Sequence, residues 1–525
     1  MGTGAEPRGA RDVVIGVDMG TTATKVVAYT PDGRRVATAS NGYPLEEPHP
    51  GHAVQDPDLI LGAVYAGVRE VVAEVGAGRI AGLSYSSAMH SLMALDVELQ
   101  PLTPVVTWAD TRASVQAERL RASAGGLALH RRTGTPVHPM SPLTKLMWFR
   151  EQEPRIRQSA AFWVGIKDYV LLRMTGALVV DHSLASASGL MDIHRLAWDK
   201  EALSLAGIRD DQLPELVSTT TVLPGMTEEA AAATGLPLAT PVVVGAGDGP
   251  LANLGVGAVR PGVAACSIGT SGALRVGVDR PAVDPRGGVF CYALTEDRWV
   301  IGGAINNGGV VLDWVRSEIA GGEDVPTAQL LDEAAEVPAG SGGLMMLPYL
   351  LSERAPHWSS VARGAYVGLT RGHRREHLVR AAVEGVALQL SLVLHSMRAA
   401  GLEIDEIRAT GGVMQHPLWQ QTLADALGTP IGLPEGQEGS GFGAALLGME
   451  ALGLIESIDV AAQMIPVSRE VRTRPADAAV YATLRPMFDE LYDALLSTNA
   501  RLQKLAPSLP LDRETPGEGA SRIDG

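Results

Sequence analysis

Two copies of one short pattern, about 250 residues apart, constrain this chain more than any other feature. The first is an apolar run, Val13-Val14-Ile15-Gly16-Val17, which ends in Asp18-Met19-Gly20-Thr21-Thr22-Ala23-Thr24-Lys25 and leaves through Val26-Val27-Ala28-Tyr29. That order predicts a strand, a tight turn and a strand folding back, with Pro31-Asp32-Gly33 making the next turn. The second copy is Ala264-Ala265-Cys266-Ser267-Ile268-Gly269-Thr270-Ser271-Gly272, leaving through Leu274-Arg275-Val276. Laid together, Gly20 meets Gly269, Thr21 meets Thr270, Thr22 meets Ser271, and Asp18 meets Ser267. Exposed amides and hydroxyls at such turns donate to phosphate oxygens, Lys25 adds charge, and Asp18 is placed to hold Mg²⁺ directly or through water. A lone Asp-x-Gly-Thr also occurs in ordinary hairpins. Its repetition argues for a duplicated domain in which each half offers one loop to the same nucleotide. Only the first copy carries the carboxylate, as expected if one loop handles the metal while both grip phosphates.

A chain of 525 residues accommodates two large domains with substantial cores. The formal charge of −16, without a Lys/Arg-rich run, disfavours nucleic acid and anionic membrane as partners. Two cysteines, Cys266 and Cys291, cannot build a disulfide framework and are expected as reduced core residues. Residues 1–12 lack the apolar stretch of a secretion signal, and no uncharged apolar run approaches the ~18 residues of a membrane span. These features predict a cytoplasmic protein. Residues 1–12 and 506–525, rich in Gly, Pro, Arg and Glu, are expected as mobile ends.

Three strands from Val13, a helix over Pro57–Val75 capped by Asp56, and a strand at Ile80–Ser86 follow from periodicity. Beyond that strand come Met89-His90 and then Trp108, Asp110 and Arg112. Strand-end loops are where α/β folds hold ligands, and these side chains suit a polyhydroxylated acid: a flat indole, donors, and a cation. The residues alone leave a second reading open, a buried His and Trp beside a surface ion pair. Asp248, in Val242-Val243-Val244-Gly245-Ala246-Gly247-Asp248-Gly249, ends a buried strand at a glycine turn. It suits a base that accepts the proton of an attacking hydroxyl, although Asp-Gly is more often a plain turn. A dinucleotide fingerprint fails there, because Pro250 stands where the third glycine belongs. His373-Arg374-Arg375-Glu376-His377 matches a zinc-peptidase pattern, but its helix has core spacing downstream, so a solvated helix start is the better reading. Met345-Met346 is expected in the core, and Lys167-Asp168 and Asp199-Lys200 as surface pairs.

Several further motifs in order resemble the FGGY family of carbohydrate kinases. Pro142-x-x-Lys145-Leu146-x-Trp148-Phe149 is similar to its first signature. Ala365-Tyr366-Val367-Gly368-Leu369 with His377-Leu378-x-x-Ala381-Ala382-Val383-Glu384 is similar to its second. Both hairpins, the Asp248 turn and Thr410-Gly411-Gly412 fall in family order. Within the family, Ala88-Met89-His90-Ser91-Leu92, Thr107-Trp108-Ala109-Asp110, His138-Pro139-Met140-Ser141-Pro142, Phe290 to Leu294 and Gly302 to Gly309 are most similar to members that phosphorylate gluconate. Ser352 departs from the glycine usual before Glu353-Arg354.

The resemblance implies an α/β fold of two ribonuclease-H-like domains (actin/Hsp70/sugar-kinase type), about 13–252 and 253–500, flanking a catalytic cleft. It implies ATP and Mg²⁺ as cofactors, with Asp248 as general base and Asp18 at the metal. Gly20, Thr21, Thr22, Lys25, Gly269, Thr270, Ser271, Gly411, Gly412 and Gln415 fall to the nucleotide. Met89, His90, Trp108, Asp110, Arg112 and His138 fall to the sugar acid, with Arg112, His90 or His138 toward its carboxylate. The expected reaction is ATP-dependent phosphorylation of D-gluconate at O6. Xylulose or another polyol stands as alternative substrate, and a non-catalytic actin- or Hsp70-like nucleotide switch as the rival class. Oligomeric state, including a homodimer, stays open.

Overall fold

The computed structural model describes residues 11–322, 324–435 and 439–505. The expectation of mobile ends therefore lies outside the described residues, save for Arg11 and Asp12. Asp12 is paired with Arg79 at 3.0 Å and its amide donates to the Arg79 carbonyl, which ties together the starts of the two central strands of the first sheet.

The first half builds β1 (Val13–Met19), β2 (Ala23–Tyr29), β3 (Arg35–Gly42), α1 (Pro57–Val75), β4 (Ile80–Ser87), α2 (Pro142–Gln152), α3 (Ile166–Thr175), β5 (Val222–Leu223), β6 (Val242–Gly247) and α4 (Asp248–Gly255). The second half builds β7 (Val263–Ile268), β8 (Gly272–Val278), β9 (Phe290–Ala293), β10 (Trp299–Ile305), α5 (Arg375–Ala399), β11 (Glu406–Thr410), α6 (Pro417–Leu427), β12 (Ile431–Pro434), α7 (Ser440–Ala451) and β13 (Val467–Val471). Each half carries one mixed sheet. The first runs β3-β2-β1-β4-β6-β5 and the second β9-β10-β8-β7-β11-β12-β13. In both, a hairpin and its third strand are antiparallel while the next two strands join parallel. The second sheet repeats the first with one added edge strand, β9. The register repeats too: Asp18 lies opposite Ser86 across β1 and β4, and Ser267 lies opposite Thr410 across β7 and β11. The chain is thus α/β, with two ribonuclease-H-like halves.

Strand composition explains the burial. Val13, Val14, Ile15 and Val17 are all fully buried, because a central strand flanked on both faces reads as an apolar run rather than an alternation. α1 starts where Asp56 accepts the Asp58 amide at 2.8 Å. α5 is long and apolar enough to cross a membrane, yet 89% of its apolar window is buried inside the protein, where it is the core helix of the second half. Met345 and Met346 lie in that core, as do the free thiols of Cys266 and Cys291.

One helix crosses between the halves. α7 follows β12 yet seats on β1, β2, β4 and β6 of the first sheet, and α4, which follows β6, packs chiefly against α7 and touches strands of both sheets. The cleft is set by this crossing.

Two expected surface pairs are buried instead. Lys167 and Asp168 point into the first half: Lys167 pairs with Asp181 at 2.6 Å with both side chains wholly buried, and Asp168 accepts the Gly165 amide at 2.7 Å to cap α3. α3 buries all of its residues but Arg173 and Thr175, so adjacent charged letters do not mark a solvated face. Asp199 is buried too; it accepts from Arg132 and caps the following helix at Ala202, while Lys200 is exposed. Removing one partner of a wholly buried pair strands the other charge. Lys167→Ala should therefore cost about 3–5 kcal/mol in denaturant unfolding, and much of that loss should return when Asp181→Leu is added. Stability within about 1 kcal/mol of the parent would place Lys167 in contact with solvent after all.

Candidate active site

Residues of both halves line a cavity of about 310 Å³, among them Thr21, Met89, His90, Trp108, Asp248, Ser267, Arg275, Tyr292 and Arg354. Asp248 reaches it because β6 passes into α4 with no intervening loop. The register between β6 and β4 shifts between Val243 and Ala246, at Gly245, whose φ is +75° and whose Cβ would lie 1.8 Å from the Tyr85 carbonyl. The bulge turns the strand end so that Asp248 opens α4 on the cavity wall. One carboxylate oxygen accepts the Gly249 amide at 2.7 Å. Burial, reinforced by the nearby Asp18 charge and opposed by Arg275, pushes its pKa up to about 6. A carboxylate with that affinity suits proton acceptance near neutral pH.

The hairpin turns face the same space. Thr22, Gly269 and Thr270 are exposed, and Thr21 and Ser271 partly so. Tyr43 donates to the Gly20 carbonyl at 2.7 Å, Gln55 to the Thr21 carbonyl at 2.6 Å, and Trp108 to the Thr21 hydroxyl at 2.9 Å. The second turn rests on Gly308 and Gly309, whose amides donate to the Thr270 and Gly269 carbonyls. Asp18 accepts Ser86 on one oxygen and Ser440 on the other, each at 2.7 Å. Both oxygens keep a free lone pair. Among the described residues no group of three or more His, Cys, Asp or Glu could cage a metal. This donor set fits Mg²⁺, which is ordinarily held by one or two carboxylates together with phosphates and water. Lys25 is exposed and lies opposite Asp18 in the strand register. On the nucleotide side Gly411 has φ +105° and lies against Ile268, so the backbone itself requires it. Gly412 has nothing within 4 Å of its missing Cβ and leaves room for a ligand, with Gln415 exposed one turn on.

Of the residues expected at the sugar acid, Met89, His90 and Trp108 line the cavity. Met89 occupies the space that Gly247 leaves, since a Cβ there would stand 2.8 Å from its sulfur. His90 holds φ +67°, and its Nδ1 lies 2.8 Å from the Ala187 carbonyl. A carbonyl only accepts, so Nδ1 carries the proton and Nε2 is left as an acceptor. Burial, with Lys145 nearby, lowers its pKa to about 3 and keeps the ring neutral.

Asp110, Arg112 and His138 stand outside the lining. Arg112 forks onto Asp110 through 2.8 and 2.7 Å bonds and covers the Trp148 ring at 5.0 Å, and Asp110 also accepts the Ala53 amide. Arg112 is thus already committed to a carboxylate of its own chain. His138 accepts the Met140 amide and edges against Trp358, a second layer behind the wall. His373 and His377 accept amides of Thr370 and Arg374 at the start of α5, which accounts for the peptidase-like spacing.

Three residues with no role in the motifs shape the site. Lys145 in α2 is fully buried and donates to the carbonyls of His90 (2.6 Å), Val106 (3.3 Å) and Thr107 (2.7 Å). One ammonium thereby ties the His90 and Trp108 loops together. Arg275 in β8 and Arg354 after Glu353 bring two guanidinium groups to the cavity. Arg354 lies over the Trp108 ring at 5.2 Å, and buried Glu353 holds the loop by accepting from Asn306, Asn307 and the Arg354 amide. In the sequence, Lys145 stood inside a recognised motif without a chemical role, and both arginines followed motif residues without one.

Known proteins share this architecture. A family model described as "FGGY family of carbohydrate kinases, N-terminal domain" matches residues 13–255, and its C-terminal counterpart matches 264–452. A gluconokinase from Bacillus licheniformis is 40% identical over 506 residues, 94% of this chain and 98% of that protein. Among solved structures, gluconate kinase from Lactobacillus acidophilus has a TM-score of 0.90 at 35% identity, covering 93% of this chain and 99% of that one. Ligand-bound xylulose kinase from the same organism has 0.90 at 36%, with the same coverage.

Lys145→Met should leave three buried carbonyls without their shared donor. The expected loss is about 1–3 kcal/mol of stability, together with a rise in KM for the sugar that exceeds any change in KM for nucleotide. Equal changes in the two KM values would mean that Lys145 does not organise the sugar side in particular.

Proposed function

Because this chain belongs to the FGGY family of carbohydrate kinases, we propose that it transfers the γ-phosphoryl group of ATP to O6 of D-gluconate, giving 6-phosphogluconate and ADP. The observation that carries this is Asp248, a carboxylate with raised proton affinity on the wall of a cavity that also receives both hairpin turns. Asp248 takes the proton of the terminal hydroxyl as O6 forms its bond to the γ-phosphorus and the bond from phosphorus to the ADP oxygen breaks. His90 Nε2 accepts from a substrate hydroxyl. Trp108 gives the carbon chain a flat face while its own N–H holds Thr21, so the sugar wall and the first phosphate turn share one bond. Thr21, Thr22, Thr270 and Ser271 donate to phosphate oxygens, and Gly411, Gly412 and Gln415 border the base and ribose.

Asp18 would hold Mg²⁺, which when bound would supply neutralising charge at the phosphates. Most of the rate comes from alignment and charge, since phosphoryl transfer asks little covalent work of the protein. A second cavity wall of Met89, His90, Trp108 and two arginines beside the base favours an enzyme over a nucleotide switch, which has no use for one. Xylulose, which also ends in a primary hydroxyl, is the second reading, supported by the equal likeness to the xylulose kinase structure. We place the enzyme in the cytoplasm, in keeping with its buried unpaired thiols.

A coupled ADP assay across D-gluconate, xylulose, ribulose and glycerol tests the substrate. Gluconate should give the highest kcat/KM; a rate no greater than that of the neutral ketoses would leave only the broader kinase reading. Asp248→Asn should fold, bind ATP and lose sugar-dependent ADP formation by about two orders of magnitude. Because the base works unprotonated and its pKa lies at about 6, kcat/KM should fall as pH drops below that value and level off above it. Residual activity of Asp248→Asn that keeps the same acid limb would assign that limb, and the base's role, to another group.

A further inference from the structure

We propose that Arg275, with Arg354 beside it, seats the carboxylate of the substrate and thereby sets this cavity for a sugar acid over a neutral polyol. The proposal rests on the gluconate reading above and names the residue that would enforce it.

Position comes first. Arg275 lies four residues past Ser271 along β8, opposite Ala265 of β7 and Gly302 of β10. At roughly 3.3 Å per strand residue, its backbone stands about 13 Å from the phosphate-binding turn. Its Nε is 3.6 Å from the point where a Cβ on Gly249 would stand, so the guanidinium lies against the first turn of α4, next to the base.

Partnering comes second. Three inward-facing arginines are matched to carboxylates within the chain, Arg112 with Asp110, Arg380 with Glu384, and Arg408 with Glu406 and two carbonyls, whereas Arg121 and Arg157 reach only carbonyls. Among the described residues neither Arg275 nor Arg354 has a carboxylate within ion-pair distance. Arg354 donates through one terminal nitrogen to the Ile305 carbonyl, while its Nε is buried with no partner. The buried Tyr292 hydroxyl, on the same cavity wall, is also unpartnered. A cation and donors left unmatched at a cavity wall are costly unless a ligand completes them. A carboxylate does so, with two oxygens for a planar fork and room for a third donor.

Charge comes third. Near the sugar the wall carries Arg275, Arg354 and Asp248, with His90 neutral, a net charge of one positive. An aldonate cancels it and a neutral ketose does not. Asp248 does not silence Arg275 itself, since the two are not within ion-pair distance.

The test uses the full chain, D-gluconate, and D-glucitol, which carries an alcohol where gluconate carries its carboxylate. Arg275→Met should lower the gluconate-to-glucitol ratio of kcat/KM by about a hundredfold or more, mainly through KM for gluconate, while KM for ATP stays within about threefold. Arg275→Lys, which keeps the charge but loses the fork, should lower the ratio by about tenfold, and it carries the test if the methionine variant does not fold. An acid-selective parent whose variants keep the same ratio, or lose affinity for ATP and gluconate alike, overturns the proposal alone. A parent indifferent to the carboxylate overturns the gluconate reading and this proposal together.

Discussion

The close crossing of α4 and α7 fixes everything else in this molecule. α7 leaves its own sheet to pack on the first, α4 lies between the two sheets against it, and the backbones approach so nearly that side chains are excluded. A Cβ on Gly16 of β1 would stand 2.2 Å from the Gly441 carbonyl; one on Gly255 would stand 2.1 Å from that of Gly439, and one on Gly443 2.1 Å from that of Leu251. None of these distances tolerates even alanine without movement of backbone. The Ser440 bond to Asp18 crosses the same seam, so the candidate metal carboxylate of the first half is oriented by a hydroxyl of the second. Rotation of one half against the other would then act directly on the carboxylate beside the phosphates. A two-lobed kinase needs that coupling if chemistry is to wait for both substrates.

On the sugar side the organiser is a buried charge rather than a seam. Lys145 costs desolvation, and burial lowers its pKa to about 7 while Asp110 acts in the opposite direction. Three carbonyl acceptors and that carboxylate are what make its burial tolerable. The arrangement gives Asp110 a task other than touching substrate: it neutralises Arg112, accepts from Ala53 and supports Lys145. His90 and Trp358, two of the five non-glycine residues with positive φ among those described, both line the cavity. Such conformations persist where the surroundings over-determine them, and the Lys145 bond to the His90 carbonyl is one such restraint.

What was legible in the sequence follows from this physics. The hairpins, the Asp248 turn and the apolar central strands are local patterns, set by neighbours within a few residues, and the duplication made even the Asp18–Ser267 correspondence visible before any register was known. Partnerships that depend on long-range packing were not. Nothing near Lys167 announces Asp181, and its neighbour Asp168 suggested a surface pair where that part of α3 is enclosed. Arg112 was assigned to substrate because it stood near Trp108 in the chain, yet Asp110, two residues away, occupies it. Arg275 and Arg354 came from positions that looked like the tails of motifs. Their meaning depends on which carboxylates are absent around them, and a linear pattern does not carry that.

The charges around Asp248 join the two sides of the argument. Burial and Asp18 raise its proton affinity, whereas Arg275 lowers it. A substrate carboxylate seated on Arg275 would cancel part of that cation's field, so the pull on Asp248 would weaken once the acid is bound. The base would then strengthen in the complex with a sugar acid and not in a complex with a neutral polyol of the same length. Discrimination would act on the chemical step as well as on binding, because one guanidinium lies between the recognition of one end of the substrate and the activation of the other.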